Sequence, residues 1–303
     1  MTSQARGLAT PAQARKLHRG TLAAFVAYGM WGLLPLFWKQ LSAVSALEVL
    51  CHRVIWSGLF LALVLLSQRR LGEVLRIWRE RSSALAVVAC AGLITLNWGI
   101  YIWAVQVDRV TEASLGYYIT PLLSVALGAF LFHEKLDRWA GISTGLALLG
   151  VAVATWRLGS LPWVATVLSV SFALYGALKK KAGLDALSGL AAESLLCMPF
   201  ALIYLAWKHG GAFFTGGPGT ATLLILAGPV TAVPLLTFAY AAVRIPLQRL
   251  GFIQYFSPTL QLALGLFVLG EHLSGPMCFA FGTVVAAVLL YILSRPGQNR
   301  ASA

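Results

Sequence analysis

The 303 residues are 59% hydrophobic and only 11% charged, with a mean hydropathy of +0.79, which excludes a soluble globular domain and indicates an integral membrane protein. The formal net charge of +13 does not point to nucleic acid as a partner, because in such a chain the excess Lys and Arg belong in cytoplasmic loops. Cys51, Cys90, Cys197 and Cys278 all lie in apolar runs without CxxC or Cys/His spacing, so neither a disulfide frame nor a bound metal is expected.

In chain order, residues 1–19 form a basic tail with Arg6, Arg15, Lys16 and Arg19. A full apolar stretch without a small-residue cleavage site follows, which reads as an uncleaved first span. Apolar runs then fall near 20–38, 46–66, 84–106, 111–132, 138–156, 162–178, 187–207, 221–242, 248–270 and 274–293, before a tail at 294–303. Each is too long for a barrel strand and close to the roughly 20 residues that cross a bilayer as a helix. The fold predicted is therefore all-α with ten transmembrane helices. With the N-terminus in the cytoplasm, eighteen of the 23 Lys and Arg fall on the cytoplasmic side, so both termini are expected there.

The second predicted helix carries Glu48, His52 and Arg53. Arg53 lies about 10 Å deep by helix rise, where a charge needs a cavity or a partner. One reading has Arg53 drawing an anionic group of a substrate, with His52 as a titratable neighbour and Glu48 as a coupling carboxylate; the other is an internal ion pair near the outer rim, Glu48 with Arg53 or with a neighbouring helix. On the third helix, Asn97, Trp98, Tyr101 and Trp103 join Trp31 and Tyr175 in an aromatic set suited to flat or cationic ligands. Asn97 is placed for a hydrogen bond either to substrate or to another helix. Trp38, Trp78, Trp156, Trp163 and Trp207 lie near span ends and read as interface anchors.

Pro121 in the fourth helix and Pro258 in the ninth deprive the carbonyls of Tyr117 and Gln254 of helical donors. Those oxygens, with Tyr117, Tyr118, Gln254, Tyr255 and Gln261, are candidates to line a midplane pocket; the competing reading is a kink that serves packing. Glu134 and Glu271 close their helices as structural or gating positions. Glu193 in the seventh helix is a desolvated carboxylate suited to proton coupling, or else a group reaching toward Lys179 to Lys181. Gly141-Ile-Ser-Thr-Gly145 matches GxSxG, but inside an apolar helix it lacks the strand-to-helix turn of a nucleophile elbow. With Gly128, Gly265, Gly270 and Gly282 it reads as close helix packing.

The segment Ala104–Gly145 recurs, shifted by 137 residues and without a gap, as Ala241–Gly282. Between Ala104 and Leu136 about ten of the thirty-three positions are identical, including Tyr118/Tyr255, Pro121/Pro258, Gly128/Gly265 and Glu134/Glu271. Chance apolar similarity does not keep proline, glycine and glutamate in phase, so the chain divides into repeats at 20–156 and 157–293. Five helices per repeat is an odd number, so the second repeat is expected upside down relative to the first. Inverted repeats with interrupted helices at mid-membrane are the architecture of secondary transporters.

The strings TLAAFVAYGMWGLLPLFWK, ALEVLCHRVIWS, NWGIYIWAV, EASLGYYITPLLSVALGAFLFHEKL and QYFSPTLQLALGLFVLGEHL resemble the RarD family of the drug/metabolite transporter superfamily, with its paired EamA-type repeats. The resemblance implies a ten-helix permease of the bacterial inner membrane, of the kind described as chloramphenicol-sensitive. The expected function is secondary transport of a small organic solute, metabolite or drug such as chloramphenicol, by alternating access and driven by an ion gradient. The expected partners are the bilayer, a small-molecule substrate and a coupling proton or other ion; no cofactor is implied, and nothing indicates an oligomeric state. No HExxH, phosphate-cradling loop or dinucleotide fingerprint is present. The alternatives are an intramembrane enzyme acting on a lipid-linked substrate, for which only the Glu48, His52 and Arg53 trio comes near an acid/base cluster, and a non-transporting membrane subunit, in which repeated prolines would have little purpose.

Overall fold

The computed structural model describes residues 11–132, 138–158, 162–209, 211–242, 244–245 and 253–293. Among the described residues the chain is helical and turn, with no strand. The helices are α1 (Pro11–Lys39), α2 (Ala46–Ser67), α3 (Leu71–Arg79), α4 (Arg81–Gln106), α5 (Val110–Phe132), α6 (Arg138–Leu158), α7 (Trp163–Ala182), α8 (Ala186–Trp207), α9 (Ala212–Thr215), α10 (Gly217–Ala242), α11 (Phe256–Phe267) and α12 (Gly275–Leu293). Five of them, α1, α2, α4, α8 and α10, are long and apolar enough to cross a membrane, and α6, α7, α11 and α12 hold shorter apolar stretches. Large apolar side chains such as Leu63, Phe130, Phe200, Trp207 and Phe267 stand at the surface. Hydrocarbon is the environment that makes such exposure favourable.

Three boundaries differ from the sequence reading. Helix α1 begins at Pro11, so part of the stretch expected as a tail is already helical. A short helix, α3, fills the segment between the second and third runs. The run at 248–270 is not one helix: the chain turns at Tyr255 and α11 starts at Phe256. Pro258 therefore sits in the first turn of α11, where its missing N–H breaks no helical bond, and not in a helix interior above a freed Gln254 carbonyl. Pro121, by contrast, does lie inside α5.

Helix α2 packs between α8 and α10, α7 against α4 and α5, α1 against α10 and α11, α6 against α12, and α5 against α11. At one end, the Lys39 end, Lys39 pairs with Asp108 at 2.5 Å and Gln106 donates to the carbonyls of Leu41 and Val44. At the opposite, Arg70 end, Arg70 holds Glu73 through two bonds and reaches Asp185 at 3.1 Å. Partial burial would raise the Asp185 carboxyl, but the N–H groups of Ser188 and Leu187 and the charge of Arg70 outweigh it and hold it below the usual carboxylate range.

Small residues bring particular helices together. A Cβ at Gly116 would meet the backbone of Ala165, one at Gly150 would overlap Thr283, and one at Gly228 would meet Trp56 backbone as well as its Cβ at 2.6 Å. Around Gly141, Gly145 and Gly282, however, nothing lies within 4 Å of an added Cβ, and Gly270 serves a turn at φ 69; these four do not make the close contacts read from the sequence. Backbone cannot yield as a side chain can, so Gly228→Ala should cost about 2 kcal/mol and lower the thermal midpoint in detergent by several degrees. The same change at Gly141 should leave the midpoint in place.

Candidate functional site

The Arg53 side chain leaves α2 about two turns below the Lys39 end and is only 4% exposed. Its guanidinium carbon lies 3.8 Å from the centre of the Trp98 ring and 5.2 Å from that of Trp38. Tyr101 and Tyr117, whose rings meet edge to face at 5.6 Å, extend the same enclosure. Cation–π contact with two indoles compensates part of the cost of burying the charge. No carboxylate lies within ion-pair distance of Arg53 among the described residues. Among the described residues, Arg53 Nε and Nη1, Trp38 Nε1 and the Tyr101 hydroxyl are buried and make no hydrogen bond, where buried donors are ordinarily paired.

The pairing of Glu48 with Arg53 does not form. Five residues advance a helix by about 500°, which leaves the two side chains about 140° apart. Glu48 points instead to the α8–α10 connection, where it accepts the Ala212 N–H in a short bond, with Lys208 Nζ 3.9 Å away. That disposition spends its carboxylate on a helix start. His52 also faces away from Arg53, stacking on Phe213 at 5.2 Å and 17°. Asn97 is occupied between helices: its amide donates to Leu168 O and Ser171 Oγ, both at 2.9 Å, and its oxygen accepts a long bond of 3.4 Å from Tyr117.

Tyr117 and Tyr118 diverge. Tyr118 faces the crossing of α5 and α11, with its hydroxyl 2.6 Å from Thr259 Oγ1 and its ring stacked on Tyr255 at 5.9 Å. At that crossing Ser114 donates to Pro258 O. Gln261 donates to Trp31 O at 3.3 Å, and its own oxygen is buried without a donor; Gln254 is half-buried just before the turn at Tyr255. The residues expected to share one midplane pocket thus form two groups, one around Arg53 and one around the Tyr118/Tyr255 stack.

Glu193 is desolvated, as the first of its two expected settings has it, and also meets Lys179, as the second has it. It is 2% exposed, with Lys179 Nζ 3.2 Å from one oxygen and the Tyr175 hydroxyl donating to the other at 3.1 Å. Glu271 accepts the N–H groups of Val110 and Thr111 at 2.7 and 2.8 Å and so caps the start of α5 from outside it. Glu134, its counterpart in the repeat, lies outside the described residues.

The sequence reading missed two participants. Trp38 was expected at the membrane interface, yet it is fully buried against Arg53; its position at the end of an apolar run is what misleads. Glu112 was passed over: it accepts the Val164 N–H at 3.0 Å and pairs with Arg109 at 2.5 Å, tying α5 to the start of α7. Its signal was a carboxylate in the first turn of a predicted span.

Residues 18–156 match the EamA-like transporter family. The chain is 42% identical to the uncharacterized transporter YojE of Bacillus subtilis, over 94% of this chain and 97% of that one. It is 40% identical to the protein RarD of Streptomyces exfoliatus, over 89% and 87%. A solved crystal structure superimposes with a TM-score of 0.60 over 91% of this chain and 97% of its own, at 21% identity, a likeness of fold.

Proposed function

The chain belongs to the RarD family of EamA-type transporters and is a multi-pass membrane protein, and from that premise we propose that it is a secondary transporter of a small organic solute carrying an anionic group. The observation that carries the proposal is Arg53: a buried cation among aromatic rings, with no carboxylate in ion-pair distance and no acceptor for Nε and Nη1 among the described residues. A charge held at membrane depth in that way is held for a ligand. The rings supply a flat apolar wall, and the guanidinium fork supplies directional bonds to a carboxylate or phosphate.

The reading extends to ten spans in two inverted halves that rock about the Arg53 region. The helix pairings support it. Exchanging the first five spans for the last five turns the α5–α7 contact into α1–α11 and the α4–α7 contact into α1–α10, while α2–α8, α5–α11 and α6–α12 map onto themselves. The asymmetry of Lys and Arg supports a bacterial inner-membrane orientation with the Arg70 end in the cytoplasm. The Lys39 end is then external, and its carboxylate contacts support reading it as the closed side.

The test is transport into proteoliposomes challenged with a pooled set of bacterial metabolites and antibiotics, chloramphenicol among them, under an imposed proton gradient. Accumulation of organic acids that a protonophore abolishes is the expected result. Movement of neutral compounds alone would overturn the anionic assignment, and no movement with folded, oriented protein would overturn transport.

In this scheme the Lys179, Glu193 and Tyr175 group is the coupling site, a carboxylate and an amine buried together so that a proton passing between states changes a local charge. Glu193→Gln should abolish gradient-driven accumulation while substrate exchange across the membrane continues. Unaltered accumulation in that variant at several pH values would remove Glu193 from the mechanism.

A further inference from the structure

From the tight Gly228–Trp56 contact a surface groove of about 430 Å³ runs along α2. Trp56, Leu63 and Leu66 of α2 form its wall, Ile225 and Pro229 of α10 border it beside Trp56, and Leu71 of α3 closes the far end. Its lining is apolar throughout. From Trp56 to Leu66 the groove runs about 15 Å by helix rise, half the roughly 30 Å of a hydrocarbon core. That is one leaflet, ending where headgroups begin.

What stands at that end is basic. Helix α3 continues the apolar wall as a stripe at helical spacing, Leu71, Leu75 and Trp78, all exposed, while Val74 and Ile77 turn inward to the core. Arg79 flanks the stripe and is exposed, and Arg69, in the turn before α3, is exposed as well. Arg70 is already committed to Glu73 and Asp185, whereas neither Arg69 nor Arg79 has a carboxylate within ion-pair distance among the described residues. An exposed amphipathic helix with flanking arginines sits in a headgroup layer and attracts anionic lipid.

We propose that this groove and α3 form a binding site for an anionic phospholipid, with one acyl chain along the α2 groove beside α10 and the phosphate on Arg69 and Arg79. The site is separate from the Arg53 enclosure, so its test is independent of what the protein transports.

Delipidated protein in detergent is titrated with phosphatidylglycerol or phosphatidylcholine of identical chains and read by native mass spectrometry. The intact protein should retain phosphatidylglycerol at about tenfold lower concentration than phosphatidylcholine, given the attraction of two arginines. The double variant Arg69→Gln/Arg79→Gln should bind both lipids alike, and Ala62→Trp, which fills the groove, should weaken both. Glycerol phosphate, a headgroup without chains, should not bind detectably. Equal retention of the two lipids by the unaltered protein would overturn the proposal, as would a preference that survives the double variant. Because the double variant alters only exposed side chains, its result stands even where Ala62→Trp disturbs folding.

Discussion

Replacing Arg53 with methionine is expected to abolish transport while leaving the folded protein as stable as before, or more so. A structural arginine would behave in the opposite way. Removing one partner of a buried ion pair strands the other charge and costs about 3–5 kcal/mol. Arg53 has no such partner: its guanidinium lies over Trp98 at 3.8 Å and two of its nitrogens make no bond. The fold therefore carries the desolvation of this charge without a compensating carboxylate, and an apolar side chain of similar length removes that cost. For a ligand the effect reverses. Losing a charge-assisted, bidentate contact in a desolvated site is worth about 2–5 kcal/mol, or roughly 30-fold to several thousand-fold in affinity.

Arg53→Lys separates charge from geometry. The ammonium keeps the attraction but loses the fork and the planar stack on two indoles, so affinity should fall by about tenfold, with maximal rate less affected. Thermal unfolding in detergent and substrate binding, measured on the same preparations, decide the matter. A midpoint that drops by ten degrees or more in Arg53→Met would assign Arg53 to the fold, and retained binding would remove it from the site.

Arg53 was legible in the sequence because a lone charge in an apolar run violates the pattern around it. Its surroundings were not. Trp38 comes from another helix, and no spacing in the chain encodes a contact between α1 and α2. Helix α3 was readable in principle, since Leu71, Leu75 and Trp78 recur at helical spacing; its density of arginines made it look like a loop. The repeat revealed Pro121 and Pro258 as equivalent, yet the structure treats them differently. Around Pro121 the helix continues, with Thr120 and Ser124 bonding back to the chain. Near Pro258 the chain turns one residue after Gln254. Sequence identity between repeats fixes which residues correspond, not which packing each one meets.

The partners of the carboxylates at the Lys39 end were also hidden, because the position of a carboxylate in its own span does not say which distant helix it caps. Glu48, Glu112 and Glu271 each accept backbone N–H groups at a helix start, and each joins one repeat to the other: Glu48 to Ala212, Glu112 to Val164, Glu271 to Val110 and Thr111. In the proposed transport scheme, three such clamps at one end would act together as a latch between the halves. A carboxylate is suited to this because it accepts two bonds and its charge opposes the positive end of the helix dipole.

Glu271→Gln is the variant that tests the latch. The amide offers one acceptor oxygen where the carboxylate offers two, so one of the N–H groups of Val110 and Thr111 loses its partner and the charge is gone. A hydrogen bond to a charged group contributes about 1.5–3 kcal/mol, which corresponds to roughly 10- to 150-fold in the population of the open state. Ala104, fully buried one turn beyond Tyr101 toward the Lys39 end, reports on that opening. In a background with the four native cysteines replaced by alanine, Ala104→Cys should react slowly with a membrane-impermeant maleimide, and adding Glu271→Gln should raise the rate at least about tenfold. Opening alone must also release substrate from the Arg53 site toward that face, so exchange should accelerate as accumulation falls. If labelling is unchanged while the thermal midpoint drops, Glu271 is a cap that stabilises α5 and nothing more. If labelling rises and the midpoint holds, the same bond that ends one helix is the one that keeps the two halves closed.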